Sequence, residues 1–230
     1  MLTVEGLRAG YGLTLVLDGV DLAVERGQLV CVMGRNGVGK TTLLNTIVGL
    51  NPTWAGRVTF DGRDLGSLPT SRRARLGIGY VPQGQVGFPH LTAKENLLVA
   101  LEASGHRGAA MDEALDLFPR LTPLLHRPAG LLSGGQRQQL AMARTLVGQP
   151  RLLLLDEPTE GIQPSIIVEI EQAVHALHRA RGLTILLVEQ YLEFALRLAD
   201  RYVVMVAGRV SASGATAEPE PEELHRLLAV

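Results

Sequence analysis

The sequence predicts an α/β fold with a mainly parallel core sheet, an antiparallel N-terminal β region and an inserted helical lobe. Three observations carry that expectation. Short β-branched and aliphatic runs alternate with longer helical patterns along the chain. The run Leu152-Leu153-Leu154-Leu155 shows no alternation, as a strand covered on both faces requires. From Thr92 to Gly148 the patterning is almost wholly helical.

Taken in order, the elements begin with an alternating stretch (Leu2, Val4; Val16, Val20, Leu22, Val24) set between Gly-containing turns such as Asp18-Gly19 and Arg26-Gly27. Core strands are expected at Gln28 to Met33, Ile78 to Val81, Leu152 to Asp156, Thr184 to Val188 and Tyr202 to Val206. Arg72-Arg73-Ala74-Arg75 reads as a solvated helix face. Thr92-Ala93-Lys94-Glu95 is a capping box and marks a helix start. Pro164 suits a first helical turn, after which Ile166, Ile167, Ile170, Ala173, Val174 and Leu177 recur at helical spacing. The stretch from Glu218 to Glu223 reads as a polar connector to a last amphipathic turn. No Pro/Gly/Ser-rich tract reads as a linker, so residues 1–230 are expected to form one domain, with the helical lobe at roughly 86–150.

Composition narrows the function classes. At 46% hydrophobic and 20% charged residues the chain is able to bury a large core, and with 4% aromatics that core must be aliphatic. Lysine and arginine total 22 against 23 acidic residues, which leaves no electrostatic footprint for nucleic acid. Glu5 interrupts the apolar stretch that a secretory signal needs, and the apolar runs 152–155 and 185–188 fall far short of the ~18 residues of a membrane span. A membrane role is therefore expected through partners. Cys31, the single cysteine, lies in the apolar run Leu29-Val30-Cys31-Val32-Met33 and reads as a packed small hydrophobe in a reducing compartment. The histidines at 90, 106, 126, 175, 178 and 225 form no metal-binding pattern, and His175 with His178 reads as a solvated helix edge.

Three motifs carry chemistry. Gly34-Arg35-Asn36-Gly37-Val38-Gly39-Lys40-Thr41 fits the phosphate-binding pattern G-x-x-x-x-G-K-[ST] and follows an apolar strand. Its glycines let backbone N–H groups converge on phosphates, a helix starting near Lys40 adds its N-terminal partial charge, Lys40 reaches β- and γ-phosphates, and Thr41 offers a hydroxyl to Mg²⁺. Leu152 to Glu157 is an apolar strand ending in two carboxylates at the edge where open α/β sheets bind ligands. Asp156 suits holding Mg²⁺ through water there, and Glu157 suits polarisation of an attacking water. In Leu132-Ser133-Gly134-Gly135-Gln136, Ser133 is a good N-cap and the glycines expose backbone donors, as a second anion site would; taken alone, the pentapeptide reads rather as an ordinary capped helix.

Taken together, the set resembles the ATP-binding subunit of ABC transporters over nearly the whole chain, and the resemblance implies a P-loop NTPase fold of the ABC nucleotide-binding type and an ATPase. It implies that Tyr11 stacks on adenine, that Gly34, Asn36, Gly37, Gly39, Lys40, Thr41 and Thr42 surround ATP, and that Gln83 senses Mg²⁺ and the γ-phosphate. It further implies that Ser133, Gly134, Gly135 and Gln136 close over the ATP of a partner subunit. Thr41, Gln83 and Asp156 are the implied Mg²⁺ residues; Glu157, Gln190 and Lys40 are the implied catalytic ones.

Two stretches depart from the general family pattern. Glu160-Gly161-Ile162-Gln163 stands where many members read S-A-L-D, and Gln190 stands where they carry a switch histidine. These departures resemble the second ATP-binding subunit of branched-chain amino acid importers and, over residues 156–167 with Glu189-Gln190-Tyr191, most closely the urea-importing branch. The implied partners are two membrane permeases, a sister ATP-binding subunit or second copy, and a periplasmic solute-binding protein, with this chain on the cytoplasmic face of the inner membrane. The alternatives are a soluble ABC ATPase of DNA repair or translation, which needs a coiled-coil insertion or a second cassette, and an ATP-dependent clamp with little hydrolysis, against which Glu157 argues.

Overall fold

The computed structural model describes residues 1–84, 87–105 and 108–217. The expected connector at 218–223 and the turn after it, His106, His225 and the first residue of the helical stretch at 86 lie outside the described residues.

Strands β1 (Leu2–Tyr11), β2 (Thr14–Val24), β4 (Ala55–Phe60) and β5 (Arg63–Asp64) form an antiparallel sheet in the order β2-β1-β4-β5. This is the antiparallel N-terminal region that alternation predicts. The second sheet has six strands in the order β10-β9-β3-β8-β7-β6. In it β3 (Leu29–Met33), β6 (Ile78–Val81), β7 (Leu152–Asp156), β8 (Thr184–Glu189) and β9 (Arg201–Val206) run parallel, and β10 (Arg209–Ala215) returns antiparallel along the edge. All five expected core strands are found, with ends shifted by at most one residue.

Strand pleating divides the buried interior in two. Leu29, Cys31 and Met33 of β3 and Leu153 and Leu155 of β7 face a cluster shared with the helical stretch, whereas Val30, Val32, Leu152 and Leu154 face the cluster under the antiparallel sheet. Because both faces are covered, no alternation survives in the sequence of β7. The helices flank this sheet: α1 (Lys40–Val48) and α2 (Thr70–Arg75) precede β6, and α3 (Ala93–Ser104), α4 (Ala109–Leu117) and α5 (Gly134–Leu146) lie between β6 and β7. Then come α6 (Pro164–His175) and α7 (Leu192–Leu198). Thr92 and Glu95 form the expected reciprocal cap of α3. Among the described residues no helix is long and apolar enough to cross a membrane.

Three local expectations are corrected. Asp18-Gly19 is no turn: it lies inside β2, where Gly19, at φ +77°, is the extra residue between the pairs Leu7↔Val20 and Arg8↔Asp18. This glycine bulge shifts the side-chain phase, so that Leu17 rather than Val16 is buried. Arg73 is not on a solvated face. Its guanidinium is buried and donates to Leu68 O at 2.8 Å and, in the last turn of α1, to Thr46 O at 2.7 Å and Ile47 O at 2.8 Å. His178 lies on a π-helical continuation of α6 (Ala176–Ala180), buried, with Nε2 3.0 Å from Asp200 Oδ2, while His175 is exposed. The π turn adds a residue to the helical repeat and rotates His178 inward.

Candidate functional site

The loop between β3 and α1 is shaped by contacts that leave no room for side chains. A Cβ on Gly34 would stand 2.6 Å from Met205 O, and one on Gly39, whose φ is +107°, would stand 2.8 Å from Leu17 Cδ2. Behind the loop, the turn between β9 and β10 is wedged against β2. Gly208 N donates to Val38 O at 3.0 Å, and Gly208 O accepts from Asp18 N at 2.9 Å. α1 then starts at Lys40 with no side-chain cap, so its first N–H groups remain available to an anion. Lys40, 4% exposed, donates through Nζ to Gly34 O at 2.8 Å and Arg35 O at 3.0 Å, and lies 3.0 Å from Glu157 Oε1.

The acidic side of the site is built at the end of β7. Asp156 is fully buried; its Oδ1 accepts from Thr41 Oγ1 at 3.2 Å and its Oδ2 from Tyr80 OH at 3.2 Å. Burial pushes its carboxyl above the ordinary range, against the pull of these two hydroxyls. Tyr80, which also meets Asn45 Oδ1 at 3.2 Å, is pushed upward by burial and by the neighbouring Asp156. Glu157, in the left-handed region at φ +45°, donates its N–H to Val188 O at 3.0 Å. A non-glycine residue in that region marks a backbone held by its surroundings. Its Oε2 accepts from Gln83 Nε2 at 3.2 Å, and the same amide also donates to Glu160. Both Gln83 hydrogens then face carboxylates, which leaves its carbonyl oxygen as the open acceptor.

A cleft of about 430 Å³ brings these parts together. It is lined by Tyr11, Asn36, Gly37, Gly39, Lys40, Thr41, Thr42, Gln83 and Glu157, all of them residues singled out in the sequence, and by Val16, which was not. Val16 is itself an extra residue of β2, between the pairs Ala9↔Leu17 and Gly10↔Leu15. Tyr11, half exposed, edges the cleft with its hydroxyl 3.4 Å from Thr42 Oγ1. Gln190 Nε2 donates to Asn36 Oδ1 at 2.6 Å, which sets the end of β8 against the loop. Ser133, Gly134, Gly135 and Gln136 do not line this cleft. Ser133 and Gln136 form a reciprocal cap on α5 instead, with Gln136 N 3.3 Å from Ser133 Oγ and Ser133 N 2.9 Å from Gln136 Oε1. Gly135 has a packing reason as well, since a Cβ there would lie 2.9 Å from two carbons of Ile166.

Tyr80, Asn45, Glu160 and Glu189 bond to residues of the site without having been expected as site residues. Glu189 carried a usable signal: like Asp156, it is an acid ending an apolar parallel strand. Tyr80 and Asn45 carried none, being a strand tyrosine and a helix asparagine whose meeting depends on the packing of α1 against the sheet.

A strand, a glycine-shaped phosphate cradle, an uncapped helix start with a buried lysine, and an acid-ended neighbouring strand define a P-loop nucleotide hydrolase. Residues 17–160 match the ABC transporter family. The chain is 40% identical over 212 residues to the high-affinity branched-chain amino acid transport ATP-binding protein BraG of Pseudomonas aeruginosa, spanning 91% of each chain. It is 40% identical over 220 residues to a probable branched-chain amino acid transport ATP-binding protein, LivF, of Archaeoglobus fulgidus, spanning 95% of this chain and 93% of that one. Its fold superposes at a TM-score of 0.85 on a dimeric ATP-binding cassette in a post-hydrolysis state bound to ADP and Pi, 27% identical over 94% of this chain and 99% of the other. The chain belongs to the ABC transporter family, as an ATP-binding subunit, and is an ATPase.

Proposed function

We propose that this chain is the subunit that hydrolyses ATP to energise import of a branched-chain amino acid or urea, held at the cytoplasmic face of the inner membrane by two permeases. The branched-chain reading is supported by the names of the relatives at 40% identity. The urea reading is supported only by residues 156–167 with Glu189-Gln190-Tyr191. Uptake of labelled leucine and labelled urea by cells with and without the chain, with permeases and the periplasmic binding protein identified by co-purification, separates the two.

The observation that carries the mechanism is the buried Lys40–Glu157 pair, 3.0 Å apart. Breaking a buried pair costs about 3–5 kcal/mol when one charge is left uncompensated. Lys40 therefore leaves Glu157 only for another anion, and in our reading that anion is the β/γ-phosphate of ATP. Transfer of Lys40 to phosphate frees Glu157 Oε1 to accept a proton from, and so polarise, the attacking water. Tyr11 holds adenine, Thr42 and the start of α1 hold phosphate, and Gln190, an amide that cannot take up a proton, positions the terminal phosphate with Asn36. Thr41 Oγ1 and the Gln83 carbonyl, with Asp156 acting through water, form an oxygen-only set that would hold Mg²⁺, which would supply neutralisation of negative charge on the phosphates.

Ser133 has a remaining role in a pair of subunits. Its Oγ accepts from Gln136 N, which leaves its own hydroxyl hydrogen to donate to the γ-phosphate held by a sister subunit or a second copy. Glu157→Gln is expected to bind ATP without turnover and to trap the pair, read by light scattering with ATP and Mg²⁺. A monomer under those conditions, even beside the sister subunit, overturns the paired-site reading.

A further inference from the structure

Glu189 is a buried carboxylate to which the mechanism above gives no part. It ends β8 and is 1% exposed. Its Oε1 accepts from Thr159 Oγ1 at 2.7 Å and Thr159 N at 3.3 Å, its Oε2 from Gln190 N at 3.0 Å, and the Tyr191 N–H is a further donor. Burial pushes its carboxyl above the ordinary range, and all these partners donate, which pulls the other way. A leucine or valine would be cheaper to bury at the end of so aliphatic a strand, so the acid has to be explained by what it holds.

What it holds is the gap between two loops. β7 and β8 pair in register up to Asp156↔Val188, and Glu157 N donates to Val188 O at 3.0 Å. Past that point Glu189 bridges the loops with its side chain. One arm grips Thr159, two residues beyond Glu157, and the other grips the backbone that carries Gln190. Gln190 in turn reaches Asn36 of the phosphate loop.

We propose that Glu189 is a positioning residue for ATP hydrolysis, fixing the Glu157 loop against the Gln190 loop so that the water-polarising carboxylate and the phosphate-facing amide keep one spacing. This rests on the roles of Glu157 and Gln190 given under the proposed function. The effect belongs to the chemical step: neither Glu189 nor Thr159 lines the nucleotide cleft.

The test is single-turnover ATP hydrolysis by the full chain with its partner subunits, measured beside equilibrium ATP affinity. Thr159→Val, close in shape but without the hydroxyl, and Glu189→Gln are each expected to slow hydrolysis roughly ten- to a hundred-fold. ATP affinity stays within about two-fold of the parent in both. Thr159→Ser, which keeps the hydroxyl, hydrolyses within about three-fold of the parent, and the double variant is no slower than the slower single one. If Glu189→Gln does not fold, Thr159→Val carries the test. Parental rates in the variants, a matching loss of affinity and rate, or additive losses overturn the positioning role. Glu157→Gln and Gln190→Ala run in the same assay as controls. If these two keep parental rates, the reading of the site fails; if they are slow while Thr159→Val and Glu189→Gln are not, only the positioning role fails.

Discussion

At the scale of single residues, two buried cations do different work. Lys40 neutralises Glu157 and donates to two loop carbonyls. Losing a charge-assisted contact to phosphate costs about 1.5–3 kcal/mol, so Lys40→Ala should lower ATP affinity roughly ten- to a hundred-fold and abolish measurable turnover, read by equilibrium binding and phosphate release. Arg73 braces the far end of the same helix, donating to two of its carbonyls, Thr46 O and Ile47 O, and to Leu68 O of the loop before α2. Arg73→Ala should lower stability by about 2–3 kcal/mol in urea unfolding, and Arg73→Lys should recover little, because a point ammonium has no planar fork to span the three oxygens. Lys40 was legible in the sequence because its spacing to the glycines is a pattern in itself. Arg73 was not, since one arginine in a run of three looks like its neighbours until α1 is packed beside it.

At the scale of elements, the sheets were the most readable part and the bulge in β2 the least. The apolar run of β7 placed that strand to the residue because a strand buried on both faces can contain little else. Gly19 carried the opposite lesson: a glycine after an aspartate is a turn signal, yet here the chain continues as strand and the glycine absorbs a shift in phase. The capping box at Thr92 and the N-cap at Ser133 were legible for a local reason, since the partners lie within one helical turn. The close approach of α5 to α6 was not, because it depends on Gly135 meeting Ile166 from 31 positions away. Gly135→Ala opposes two effects: helix propensity favours alanine by about 1 kcal/mol, while forcing a methyl into filled space costs about 1–3 kcal/mol. The contact involves Ile166 Cβ as well as its γ carbons, so rotation of the side chain alone does not relieve it. Gly135→Ala should therefore lower the unfolding midpoint, as thermal unfolding of the variant beside the parent would record.

At the scale of the whole molecule, the central sheet separates two aliphatic interiors, and the candidate site lies along its carboxyl edge, where both meet the phosphate loop. Cys31 sits in the middle of β3, fully buried, its thiol pushed well above the usual range by that burial. It is also the only cysteine in the chain. Thiolate is the form that reacts with maleimides, and here it is both scarce and inaccessible. The native protein should remain unlabelled until denaturant exposes β3, as mass spectrometry of the reagent-treated chain would record. The protein is thus already a silent background for site-directed fluorescence: a cysteine placed on an exposed residue such as Leu131 or Val168 would be the only dye position, with no prior removal of Cys31, and distances between such dyes in paired subunits could follow each catalytic cycle as it runs.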